Sequence, residues 1–128
     1  MIVGLGMDVV EIARIQRILD GPAERAERFL ARCFTPAERS YCGGARDRAA
    51  RYAARFAAKE ATFKALRAPP GIRWQDVEVM RSEGTPSIDL RGVAASAAAA
   101  LGAARALVTL THDAGVAAAT VVLEGSAP

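Results

Sequence analysis

A chain of 128 residues with 52% hydrophobic and 24% charged side chains has the composition of one folded domain and excludes a disordered or low-complexity segment. Only seven residues are aromatic, so the core must be built largely from Ala, Val, Leu and Ile, and association of copies would supply burial that small side chains lack. The formal charge is +3, and its uneven placement suits an anionic partner.

Between Arg39 and Arg67 eight Lys or Arg residues stand against only Asp47 and Glu60, and a second basic cluster holds Arg14, Arg17, Arg25, Arg28 and Arg32. Arg outnumbers Lys fifteen to two. A guanidinium fork favours phosphate and carboxylate, although a GC-rich coding sequence would enrich Arg for unrelated reasons. Nucleic acid is not the expected partner, because no aromatics are interleaved with the basic residues and no reading motif is present. Met1 to Met7 runs straight into Asp8 and Glu11 without a secretory signal pattern. The Ala-rich stretch from Val93 to Ala104 is too short to span a bilayer. A cytoplasmic chain with no membrane partner is expected, with Cys33 and Cys42 as reduced thiols rather than a zinc site.

In chain order, Ile2 to Val10 is an apolar run that predicts a buried strand. Gly4 and Gly6 within it predict a bulge or a close backbone approach. Val10 to Leu19 turns helical, with Ile12, Ile15 and Leu19 on one face, until Gly21-Pro22 breaks it. Thr35-Pro36-Ala37-Glu38 reads as a capping box opening a short helix that Gly43-Gly44 ends. A long helix is expected from Arg46 to Leu66, stopped by Pro69-Pro70. Trp74 to Met80 and Ser87 to Leu90 read as strands around a Gly84-Thr85-Pro86 turn, and Val93 to Ala103 as a helix. Ala106 to His112 and Val116 to Leu123 read as a hairpin through Asp113-Ala114-Gly115. Mixed elements with a closing hairpin predict an α+β fold in a single domain over residues 1–128.

Three places invite chemistry. Asp8, a carboxylate at the end of an apolar strand, either caps the following helix or points outward, or it offers a hard oxygen to Mg²⁺. On the long helix Phe56, Glu60 and Lys64 share a face, with Ala53, Ala57 and Ala61 beside them leaving room for a ligand. The plain alternative is a surface Glu–Lys pair. His112, the single histidine, reads as a turn residue beside Asp113, an Asx-type turn former.

Taken together, the segments resemble the holo-acyl-carrier-protein synthase family, the small bacterial phosphopantetheinyl transferases. Val3-Gly-Leu-Gly-Met-Asp8-Val-Val-Glu-Ile-Ala-Arg14-Ile is similar to the family's opening strand and first helix. Phe34-Thr-Pro-Ala-Glu38-Arg-Ser-Tyr41-Cys42 is similar to its F-T-x-x-E-x-x-Y-C segment. Arg55-Phe-Ala-Ala-Lys59-Glu60-Ala-Thr-Phe-Lys64-Ala-Leu is similar to its R-F-A-x-K-E-A-x-x-K-A signature. Gly71 to Val79, the Gly84-Thr85-Pro86 turn, and Thr109 to His112 with the strand after it continue the match in collinear order.

The resemblance implies a small antiparallel sheet wrapped on a long helix. It also implies Mg²⁺ held by Asp8 and Glu60, with coenzyme A as co-substrate and an acidic acyl carrier protein as acceptor. By the same resemblance Lys64 contacts the phosphates and stabilises the transition state. Arg55, His112, Gly84 and Pro86 meet the nucleotide, and Arg14 and Arg17 dock the carrier. The serine proton goes to Glu60, Lys64 or a metal-bound water. A homotrimer with interfacial active sites, serving fatty-acid or polyketide synthesis, is implied as well. Two departures from the family pattern stand out: Arg67 where Gly is usual, and Thr85 where a basic residue is common.

Overall fold

The computed structural model describes residues 1–82 and 84–126. Strand β1 (Ile2–Glu11) leads into helices α1 (Ile12–Asp20), α2 (Ala23–Cys33), α3 (Pro36–Gly43) and α4 (Arg48–Ala65). A 3-10 turn (Trp74–Asp76), strands β2 (Val77–Ser82) and β3 (Thr85–Leu90), helix α5 (Gly92–Ala100) and strands β4 (Ala103–Asp113) and β5 (Val116–Gly125) complete the chain. Among the described residues β1, β5 and β4 form an antiparallel sheet in that order, and β2 and β3 form a separate ribbon. The larger sheet lies on α4, which is the expected α+β arrangement.

Contact between α4 and β1 is set by side-chain size. Ala53, Ala57, Ala58, Ala61 and Ala65 of α4 are buried, and glycines face them from the strand. A Cβ on Gly6 would stand 1.8 Å from the Ala61 carbonyl oxygen, and one on Gly4 would stand 2.6 Å from that of Ala65. The close backbone approach predicted for this strand is therefore realised, and the register also slips between Ile2 and Gly4. Two strand residues advance about 6.8 Å and four helix residues about 6 Å, so the steps Gly4 to Gly6 and Ala65 to Ala61 match. Carried one step further, the match sets Asp8 beside the turn of α4 that bears Glu60.

Helix α3 starts as its sequence requires. The Glu38 backbone N–H donates to Thr35 Oγ1 (3.3 Å), and the Thr35 N–H donates to Glu38 Oε1 (2.9 Å). The β4–β5 connection turns on Ala114 and Gly115 at φ 52° and 82°, the positive-φ pair of a tight hairpin. Asp113 Oδ1 accepts from the Ala114 N–H (2.9 Å).

Four expectations need correction. Ala23–Cys33 is a helix that the sequence reading saw only as a basic cluster. Trp74–Asp76 is a 3-10 turn and β2 begins at Val77. Strand β3 begins at Thr85, and Ser82 pairs with Thr85, so Thr85 and Pro86 belong to the strand and not to the turn. Asp8 lies within β1, which runs on to Glu11, and α1 has Glu11 as its N-cap with no side-chain cap bond. Asp8 therefore caps nothing.

The end of α4 carries strain. The Arg67 N–H donates to the Lys64 carbonyl (3.0 Å) and the Ala68 N–H to the Phe63 carbonyl (2.7 Å), the paired bonds of a Schellman stop. That motif puts the residue after the cap in the left-handed region, where glycine is preferred, yet Arg67 holds φ 63° there. A side chain in that region costs about 1 kcal/mol. Arg67→Gly should raise the melting temperature by about 4 °C, measured by thermal unfolding; a lower value would mean that the arginine makes contacts that outweigh the strain.

Candidate active site

Alternation along β1 turns Gly4, Gly6, Asp8 and Val10 toward α4. Asp8 is thus drawn in, its side chain 12% exposed, by the same packing that buries Val10. Lys64 Nζ donates to Asp8 Oδ1 (3.1 Å) and to the Met7 carbonyl (3.0 Å). The other oxygen, Asp8 Oδ2, is buried with no hydrogen-bond partner among the described residues. Glu60 is half-buried beside the pair. Burial first, and the charge of Asp8 second, raise its carboxyl above the ordinary value of 4.5, while Lys64 and Arg14 pull it back.

Three sequence-predicted residues are therefore brought together: Asp8 meets Glu60 and Lys64, which lie 52 and 56 positions further along the chain. The simple surface pair weighed for Glu60 and Lys64 does not form, because Lys64 reaches Asp8 instead. The space expected around Ala53, Ala57 and Ala61 is closed, because all three are fully buried where the sheet packs on α4, so it does not receive a ligand.

Two carboxylates with an orphaned buried oxygen fit Mg²⁺, which takes hard oxygen donors and usually binds through one or two carboxylates together with substrate phosphates. Among the described residues no cluster of three or more His, Cys, Asp or Glu forms, so a further donor would come from substrate or solvent.

Arg55 and His112 lie elsewhere, in a cleft of about 370 Å³ that Tyr41, Arg51 and Arg81 also line. Arg55 is buried, and its guanidinium packs 4.1 Å from the centroid of the Tyr41 ring, with Arg51 at 4.7 Å. Arg81 Nη1 donates to the Tyr41 hydroxyl (3.4 Å), Arg51 pairs with Asp47 (3.0 Å), and Arg55 Nε has no partner among the described residues. Three guanidiniums and one imidazole against one carboxylate form a receptor for a multiply charged anion.

Tyr41, Arg51 and Arg81 were missed by sequence reasoning as site residues. Arg51 and Arg55 are one turn apart on α4, a spacing that could have signalled a shared face. Arg81 comes from β2 and gave no local signal. Gly84 and Pro86 lie on the β2–β3 ribbon that carries Arg81, Gly84 exposed at φ 84°; neither lines the cleft.

A larger cavity, about 660 Å³, opens between α2 and the 3-10 turn, walled by Phe29, Phe56 and Trp74 and rimmed by Arg25, Arg28 and Arg32. It is set apart from the carboxylates, although Phe56 is one turn from Glu60. Phe56 stacks on Trp74 with centroids 4.7 Å apart, and the Arg14 guanidinium stands 5.7 Å from the Phe56 ring. Arg14 is therefore brought to this surface, whereas exposed Arg17 pairs with Glu11 (3.3 Å). Both cysteines are buried and free. Burial raises both thiols, Cys42 to about 11, so neither is an activated nucleophile.

Comparison with known proteins agrees with these features. The sequence model described as 4′-phosphopantetheinyl transferase superfamily matches residues 4–120. The chain is 66% identical over 128 residues, all of both chains, to the holo-[acyl-carrier-protein] synthase of Anaeromyxobacter sp. (strain K). Its fold is similar to Helicobacter pylori holo-[acyl-carrier-protein] synthase solved with coenzyme A, at TM-score 0.79 and 29% identity over 94% of this chain and 99% of that one. The Bacillus anthracis holo-(acyl-carrier-protein) synthase, solved with CoA (3′,5′-ADP), gives TM-score 0.78 and 30% identity over 98% of this chain and 99% of that one. The chain belongs to the holo-[acyl-carrier-protein] synthase family of the 4′-phosphopantetheinyl transferase superfamily.

Proposed function

We propose that the chain transfers the 4′-phosphopantetheine group of coenzyme A to a serine hydroxyl of an apo acyl carrier protein, in a Mg²⁺-dependent reaction that releases adenosine 3′,5′-bisphosphate. The observation that carries this reading is the convergence of Asp8, Glu60 and Lys64 in one half-buried cluster. Asp8 and Glu60 are the residues that hold Mg²⁺. When bound, the ion supplies charge neutralisation at the phosphoryl group being transferred.

The chain's own groups do the rest. Lys64 turns its ammonium to the phosphate oxygens and stabilises the charge that grows on them. Glu60 takes the serine proton as the oxygen attacks the β-phosphorus and the bond to the nucleotide part breaks. The Arg51–Arg55–Arg81–His112 cleft anchors the phosphorylated nucleotide end, while Gly84 and Pro86 belong to the ribbon that carries Arg81 and stand outside the cleft lining.

The anchoring cleft and the carboxylate cluster occupy different sides of α4. Arg55 and Glu60 are five residues apart, which is about 140° around a helix. A second copy of the chain reconciles them. The outer face of the large sheet exposes Leu5, Met7 and Val9 on β1, Leu107 on β4 and Val116 on β5, and such a patch marks an association surface. A homotrimer packed through these faces joins the cleft of one subunit to the carboxylates of the next. It also supplies the burial that an alanine-rich core lacks.

Docking of the acidic carrier falls to Arg14 and Arg17 on α1, extended by the arginines of α2 around the aromatic cavity. Charges at such a rim speed encounter and make it salt-sensitive. Arg14→Glu should raise KM for the carrier about tenfold at low salt with kcat little changed, read from initial rates; an unchanged KM would remove Arg14 from the interface. Among the described residues no helix is long and apolar enough to cross a membrane, which is compatible with cytoplasmic work on a fatty-acid or polyketide carrier. The deciding experiment is mass spectrometry of apo carrier incubated with this protein, coenzyme A and Mg²⁺. One added phosphopantetheine is expected, and no addition across several carriers would overturn the reading.

A further inference from the structure

Lys64 is anchored twice on β1, to Asp8 Oδ1 at 3.1 Å and to the Met7 carbonyl at 3.0 Å. The charges that face this point are Asp8 and Glu60, with Lys64 and, farther out, Arg14 against them. The ammonium is thus the counter-charge of the very carboxylate that offers its second oxygen, buried and without a partner among the described residues, to a metal. Its side chain is 56% exposed, so it is free to leave Asp8 when a stronger anion arrives.

A dication entering beside Asp8 meets this ammonium at roughly ion-pair range. At water-like dielectric the repulsion of a unit charge by a dication there amounts to roughly thirtyfold in affinity, which salt screening brings down to about tenfold. A pyrophosphate reverses the balance, because it draws the ammonium onto its own oxygens and at the same time offers ligands to the metal.

We infer that Lys64 couples metal binding to coenzyme A binding, holding Asp8 in the nucleotide-free protein so that the divalent cation binds weakly until the pyrophosphate takes the ammonium over. The inference rests on the reading of Asp8 and Glu60 as the metal ligands. It gives Lys64 a positioning and coupling role beside its contact with the phosphates. Because coupling free energies are reciprocal, Lys64 also makes the metal strengthen coenzyme A binding.

The test is direct Mn²⁺ binding, read from the electron paramagnetic resonance signal of the free ion, on the full-length protein with and without coenzyme A. Lys64→Met should bind Mn²⁺ about tenfold more tightly than wild type when coenzyme A is absent. The gain in Mn²⁺ affinity that coenzyme A brings should shrink severalfold in the same variant. Lys64→Arg, which keeps the charge, should stay near wild type. Arg14→Gln removes a more distant cation and should change Mn²⁺ affinity far less than Lys64→Met. If wild type binds Mn²⁺ and Lys64→Met binds it no more tightly, or if Arg14→Gln has an equal effect, the coupling is overturned while the metal reading stands. If wild type binds no Mn²⁺ with or without coenzyme A, the metal reading falls and the coupling with it.

Discussion

Glu60→Gln is expected to reduce transfer to the carrier roughly a thousandfold, as loss of a metal ligand that neutralises phosphoryl charge should, while making the metal-free protein more stable. The second effect follows from the sign of the Glu60 shift. Burial and the Asp8 charge raise its folded value above 4.5. The unfolded chain therefore releases this proton before the folded one does. The associated stability is fully present below 4.5 and is lost as pH rises through the raised folded value. At neutral pH the wild-type protein has lost it, whereas a neutral glutamine has no proton to lose. Thermal unfolding in chelator should then give a higher melting temperature for the variant near neutrality, with the gap closing toward acid. Wild-type turnover by Glu60→Gln would end the metal assignment. A lower neutral-pH melting temperature would end the account of its burial.

Elements that announce themselves by local chemistry were legible in the sequence. The capping box at Thr35 and Glu38, the stop after Leu66 and the Asp113–Gly115 hairpin each depend on residues within a few positions of one another. Helix α2 was not legible, because only Ala26 and Cys33 of its residues are buried; its Arg and Glu side chains read as a charge cluster. The pair Asp8 and Glu60 was suspected from motif resemblance, but their meeting depends on Gly4 and Gly6 fitting against Ala65 and Ala61, a relation between two distant segments. The anion cleft was half legible for the same reason. Arg55 lies within a motif, but Arg81 reaches the cleft only because β2 is held against α3 and α4, where Glu38 accepts from the Val79 N–H and Lys59 donates to the Val77 carbonyl, which no short window reveals.

Lys59 is one letter of the α4 signature in the sequence, yet in the fold it is buried and pairs with buried Glu38 at 2.8 Å, also donating to the Trp74 carbonyl at 3.0 Å. In sequence a lysine beside Glu60 on a charged helix looks solvated. What marks it is position, since it continues the buried face that Tyr52, Arg55 and Phe56 establish. From this node the structure branches. Glu38 Oε2 accepts from the Val79 N–H (2.9 Å), Glu78 accepts from Thr35 Oγ1 and Arg91, and Trp74 is held where it stacks on Phe56. The pair thereby fixes the β2–β3 ribbon, and with it Arg81 of the anion cleft, to α4.

Lys59→Met should consequently be the most damaging single change outside the carboxylate cluster, costing about 3–5 kcal/mol because it leaves a buried carboxylate without its counter-charge. A loss of that size is a large part of the stability of an ordinary domain. Lys59→Met combined with Glu38→Gln should recover about 1–2 kcal/mol of the loss, since position 38 then buries no unpaired charge while an amide oxygen still accepts from one of the backbone N–H groups. Urea unfolding of the wild type, both single variants and the double variant measures the coupling; additive effects would mean that the two residues stabilise the fold independently. The pH dependence supplies a second sign. Burial lowers the Lys59 ammonium below its ordinary 10.5, so between its folded and unfolded values the unfolded chain holds the extra proton and stability rises with pH. That alkaline rise should vanish in Lys59→Met, while a variant that kept it would show that the titrating group lies elsewhere and that Lys59 stays charged throughout.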